Sequence, residues 1–119
     1  MVTHAASDEP RLVDRRYAIR REIGRGGACV VHEATHRFTR KVVAVKQLRE
    51  HQKDDLVLRA RLLREAEAIA TVSHPNIVQV LDAGEESDGA PYVVLEYLEG
   101  RSLDGLIAAR GALRTKQPG

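Results

Sequence analysis

From Tyr17 onward, side chains alternate through Tyr17, Ile19, Arg21 and Ile23, the period-two pattern of a strand with one buried face. Gly24-Arg25-Gly26-Gly27 interrupts that pattern with turn-forming residues. Ala28-Cys29-Val30-Val31-His32-Glu33-Ala34 then reads as strand again, so the pair predicts a hairpin with a glycine-rich tip. Residues 35–41 are polar and turn-like, and Val42-Val43-Ala44-Val45-Lys46-Gln47-Leu48 predicts a third, well-buried strand. Residues 54–72 predict a helix about 28 Å long at 1.5 Å per residue. Asp54 and Asp55 favour its positive end, and Pro75, by restricting His74, stops it near Ser73. Ile77-Val78-Gln79-Val80-Leu81 predicts a fourth strand, residues 84–89 a hairpin loop, and Pro91-Tyr92-Val93-Val94-Leu95-Glu96-Tyr97 a fifth strand. After Glu99-Gly100, Ser102 can cap a short helix through Leu103, Leu106 and Ile107. The expected fold is α+β: a five-stranded antiparallel sheet, one main helix and a short terminal helix. Residues 1–13 read as a disordered leader, residues 14–113 as the folded part and residues 114–119 as a tail.

Composition narrows the classes of function. The net charge is +2, and basic residues are interleaved with acids, which argues for a solvated mixed surface and against nucleic acid as a partner. The single cysteine, Cys29, excludes an internal disulfide and a cysteine-rich metal site. His4, His32, His36, His51 and His74 lack metal-ligand spacing. The longest uncharged stretch, residues 69–81, is too short to span a bilayer and contains His74-Pro75-Asn76. No signal-peptide pattern opens the chain, so the expected location is the cytoplasm.

Three features carry candidate chemistry. Gly24, Gly26 and Gly27 let backbone N–H groups approach phosphate oxygens without interference from Cβ atoms. Glycines also serve plain hairpin turns, so the loop alone does not decide. A dinucleotide-binding fingerprint requires a helix after the glycines, whereas Val30-Val31 continues as strand. A Walker loop requires Gly-Lys-Ser/Thr, which is missing here. What remains is a loop folded over phosphates between two antiparallel strands. Lys46 is the second feature: alternation places it on one face with Ala44, aimed past a base toward phosphates, or else it is a surface lysine ending a strand. Glu65 is the third. Leu58, Leu62, Glu65 and Ile69 form one helical stripe, and a carboxylate in an apolar stripe needs a cation or a proton. Lys46 is the natural partner; the alternative turns Glu65 to solvent beside Arg61.

Five stretches in order resemble successive landmarks of a bacterial, eukaryotic-like Ser/Thr protein kinase. They are Ile23-Gly24-Arg25-Gly26-Gly27-Ala28-Cys29-Val30-Val31, Val43-Ala44-Val45-Lys46, Arg64-Glu65-Ala66, His74-Pro75-Asn76-Ile77-Val78 and Tyr92-Val93-Val94-Leu95-Glu96-Tyr97. The likeness runs over roughly residues 14–113 and implies the N-terminal lobe, the hinge and the start of the C-terminal lobe. It implies ATP as the bound cofactor, with residues 23–27 covering it. Ile23, Val31 and Ala44 would sandwich adenine, and Lys46 would bind the α- and β-phosphates with Glu65 ordering it. Leu95 would stand behind the base, and the backbone of Glu96 and Leu98 would bond its edge. Cys29 departs from the pattern, standing where many members have a third glycine.

The resemblance also marks what is missing. Magnesium and phosphoryl transfer need a catalytic-loop Asp, an Asn and the Asp of Asp-Phe-Gly, and no such motifs follow Leu113. Asp82-Ala83-Gly84 comes too early in the order to be the last of these. The metal ligands are therefore absent. The expectation is an ATP-binding lobe, truncated and inactive alone. The alternative is a non-catalytic module that docks on a full-length kinase or another protein through exposed lobe surface.

Overall fold

The computed structural model describes residues 11–71 and 78–97. Within them, six strands form one antiparallel sheet: β1 (Leu12–Val13), β2 (Tyr17–Gly26), β3 (Cys29–His36), β4 (Val42–Leu48), β5 (Val80–Glu85) and β6 (Pro91–Glu96). Their order across the sheet is β1-β2-β3-β4-β6-β5. A single helix, α1 (Leu56–Ala70), joins β4 to β5 after a 3₁₀ turn at Glu50–Gln52. The α+β class is as expected, with six strands in place of five.

The extra strand is β1. Two residues are too few to show a period-two pattern, yet Leu12 pairs with Ala18 and Val13 with Tyr17, and Val13 is fully buried. The leader expected over residues 1–13 thus ends in a strand, and residues 1–10 lie outside the described residues. The strand expected over residues 77–81 is displaced to Val80–Glu85. Its polar half is held by partners distant in sequence. Tyr17 donates its hydroxyl to Asp82 Oδ2 at 2.8 Å, and Arg16 lies 3.5 Å from the same oxygen. Gly84 is required there, because a Cβ would stand 2.8 Å from the Tyr92 hydroxyl oxygen.

The sheet buries side chains on both faces. On one, Val31, Ala44, Leu48, Val93 and Leu95 pack with Leu62, Ala66 and Ile69 of α1. On the other, Val13, Tyr17, Ala34, Val43, Val45, Tyr92 and Val94 form a separate cluster to which β1 contributes Val13. Strand β4 therefore reads as nearly continuous apolar sequence, as a strand buried on both faces must. Burying one Leu or Ile on α1 contributes about 1.5–3 kcal/mol.

Asp55 caps α1. Its backbone is extended, and its carboxylate accepts from Val57 N at 2.9 Å and Leu58 N at 3.1 Å. Arg59 fixes the helix start against the β5–β6 hairpin, donating to Lys53 O at 2.6 Å and to Asp88 O at 3.5 Å. Lys53 bridges Glu50 and Asp88 at 3.2 and 3.1 Å. The helix ends at Ala70, where the Thr71 N–H turns back onto Ala68 O and Ile69 O, short of the end predicted near Ser73; the short helix from Ser102 and the tail lie outside the described residues.

Candidate functional site

Strand register brings the expected residues together. Gly24 pairs with Val31, Val31 with Lys46, and Lys46 with Val93, making one row across β2, β3, β4 and β6. Gly26 pairs with Cys29 and Cys29 with Leu48, making the next row. Directly opposed residues share a face of the sheet. Cys29, Val31, Ala44, Leu48 and Val93 all belong to the cluster packed on α1. Gly24, Gly26 and Lys46 therefore sit on the helix-facing side, Lys46 between Ala44 and Leu48 along its own strand.

The hairpin tip is two residues, Gly27 and Ala28, flanked by the Gly26–Cys29 pair. Gly27 has φ +54°, a conformation that glycine adopts without a steric penalty. Gly26 is different: its φ is not in the left-handed region, and a Cβ built on it meets nothing within 4 Å. Neither its backbone nor its neighbours call for glycine. What its lack of a side chain provides is open space on the Lys46 side of the sheet.

The remaining expected positions fall as follows. Val31, Ala44 and Leu95 are buried in the helix-side cluster, Ala44 pairs with Leu95, and Ile23 packs partly buried against them. Glu65 is half-buried on α1, between the buried Leu62 and Ala66 in sequence and one turn before Ile69. Glu96 donates its N–H to Gln79 O at 3.0 Å and accepts from Gln79 N at 3.2 Å through its carboxylate, so Gln79 holds it at the end of β6. Leu98 lies outside the described residues. Cys29 is buried in the apolar cluster, as a small packed side chain.

Arg25 parts from this group. It pairs with Val30, on the face away from α1, and its guanidinium is bound to Glu22 at 2.6 and 3.2 Å. That hydrogen bond holds the Glu22 carboxyl below the usual range. Only the backbone of Arg25 stands in the glycine-rich tip. Val93, directly across from Lys46, extends the floor of the site. The sequence does not single it out, because one valine in an apolar strand carries no mark of its partner.

The open space at Gly26 and the apolar residues Ile23, Val31, Ala44 and Leu95 lie on the same side of the sheet. Among the described residues no group of three or more His, Cys, Asp or Glu could hold a metal ion. The described residues therefore offer no ligand set that fits magnesium. No helix among the described residues is long and apolar enough to cross a membrane.

Comparison with known proteins bears on the family and the fold. A family model described as the protein kinase domain matches residues 17–118. The chain is 39% identical over 110 residues to the probable serine/threonine-protein kinase PknB of Bifidobacterium longum, covering 86% of this chain and 16% of that protein. It is 40% identical over 107 residues to the serine/threonine-protein kinase PrkC of Bacillus subtilis, covering 90% and 16%. Against the serine/threonine-protein kinase PksC of Streptomyces coelicolor the figures are 40% over 99 residues, 81% and 18%. The chain thus spans less than a fifth of the length of these curated relatives. A solved structure titled PpkA-294 apo form matches in fold, with a TM-score of 0.62 at 23% identity, over 82% of this chain and 40% of that one. With its glycine-tipped hairpin over a lysine-bearing strand and a matching family model across most of its length, the chain belongs to the protein kinase domain family.

Proposed function

We propose that this chain supplies the ATP-binding part of a Ser/Thr protein kinase: it holds adenine and phosphates without transferring the γ-phosphoryl group. The row Gly24–Val31–Lys46 beside the open space at Gly26 carries this reading. The adenine ring packs between Ile23, Val31 and Ala44, with Leu95 behind it and the backbone of Glu96 along its edge. The N–H groups of residues 24–27 and the ammonium of Lys46 meet the phosphates. Glu65 pairs with Lys46 across the gap between α1 and β4. At an effective dielectric of about 20, such a pair at 4 Å attracts by on the order of 4 kcal/mol before desolvation is subtracted. The pair positions the ammonium and takes no part in bond making.

Transfer itself requires an aspartate beside the acceptor hydroxyl and aspartate and asparagine ligands for metal. The sequence of this chain has no His-Arg-Asp and no Asp-Phe-Gly. Binding by these 119 residues alone should be weak, roughly millimolar, or about 4 kcal/mol. Titration calorimetry of the 119-residue chain with ATP tests the affinity, and radiolabelled ATP with myelin basic protein tests transfer. The expected results are weak binding, reduced further in Lys46→Ala, and no labelling above that variant. Low-micromolar affinity or Lys46-dependent labelling contradicts the proposal.

A further inference from the structure

The outer side of the glycine-tipped hairpin, away from α1, holds a cavity of about 260 Å³. The rows Arg25–Val30–Gln47 and Glu22–His32 form its floor, and Arg11, Leu48, Arg49, Glu50 and His51 complete it. Its two carboxylates are already engaged, Glu22 by Arg25 at 2.6 Å and Glu50 by Lys53 at 3.2 Å. Gln47, 5% exposed, is satisfied at both ends, accepting from Arg11 at 3.3 Å and donating to Glu86 at 2.9 Å. Two of the lining residues each carry a buried nitrogen with no hydrogen-bond partner: Arg49 Nε and His32 Nδ1. Buried polar atoms are almost always paired, so two orphans on residues lining one cavity call for a missing partner. Arg49 Nε always donates. Three guanidiniums and two imidazoles against two spoken-for carboxylates favour an acceptor that carries negative charge.

We propose that this cavity is a binding site for a tetrahedral oxyanion, phosphate or a phosphoryl group, held by Arg49 and protonated His32 with Arg11 and Arg25 at its rim. The site is separate from the nucleotide face and does not depend on ATP binding there. His32 faces Arg11, Arg25 and Glu22. Burial first, and Arg11 next, press its pKa below the ordinary value. A bound anion opposes both effects and raises the midpoint, so by linkage the anion binds more tightly as pH falls.

The test follows the His32 ring by NMR in the 119-residue chain during a phosphate titration at constant ionic strength, with sodium chloride as the control. The expected result is a saturable shift, an upward move of the His32 midpoint at saturation, and at least tenfold weaker binding in Arg49→Gln. A His32 midpoint unmoved by phosphate beyond the chloride control overturns the proposal without any variant, as does unchanged affinity in Arg49→Gln. A phosphoserine peptide then identifies the source. Displacement of phosphate by the peptide points to a phosphorylated chain as the occupant, and binding of phosphate alone points to the free anion.

Discussion

Gly26 and Gly84 stand in strands of the same sheet and are glycine for opposite reasons. A Cβ at Gly84 would press on the Tyr92 hydroxyl at 2.8 Å, and Tyr92 is 1% exposed with its oxygen bound to Asp14 at 2.6 Å, so the ring cannot yield. Gly84→Ala should therefore cost about 1–3 kcal/mol. At Gly26 the added methyl meets open space, so Gly26→Ala should stay within about 0.5 kcal/mol of the parent while weakening ATP binding. Urea unfolding of both variants, with calorimetry on the second, checks the contrast; equal destabilisation contradicts it. Tyr17 offers a pH-dependent test. Burial first, then its bond to Asp82, pushes its hydroxyl up from 10.0 to about 12. The folded state thus keeps the proton to higher pH than the unfolded chain does. That contribution to stability is complete below pH 10 and is lost as pH rises toward 12. Urea midpoints from pH 9 to 11 should fall less steeply in Tyr17→Phe than in the parent, and parallel curves count against the assignment. Lys46 and the glycines stand out in the sequence as candidates because their chemistry is local. The face taken by the Arg25 side chain was not legible, since only the pairing with Val30 reveals it.

At the scale of elements, α1 was readable from its apolar stripe, while its start was set by one side chain. Asp54 and Asp55 look alike in sequence, but Asp55 alone accepts from the first-turn N–H groups, and Asp54 reaches outward to Arg59 at 3.4 Å. Asp55→Ala should cost about 1 kcal/mol, and Asp54→Ala markedly less. Circular dichroism during thermal unfolding distinguishes them, and equal losses would assign the cap wrongly. Strands β1 and β5 were the poorly legible elements. Both are edge strands, and both are held by distant tyrosines and aspartates: Tyr92 with Asp14, Tyr17 with Asp82. Such contacts link positions 78 and 65 residues apart, which no local window contains.

Across the whole molecule, two apolar layers share the curled sheet, and the proposed nucleotide face lies beside the one closed by α1. Leu56 and Val57 at the start of that helix are 73% and 68% exposed, so α1 is anchored by its middle and by Arg59 while its first turn faces outward. That geometry leaves the helix as the element whose position sets the distance from Glu65 to Lys46. The claim on which the functional reading depends is that phosphate is met on the Lys46 side of the hairpin. An ATP titration of the isotope-labelled chain followed by backbone amide NMR tests it directly. The predicted result is a set of shifts centred on Gly24, Gly26, Gly27, Ala44, Lys46 and Glu65 that disappears in Lys46→Ala. Shifts confined to the outer face around Arg11, His32 and Arg49, or a pattern that survives in Lys46→Ala, would contradict it.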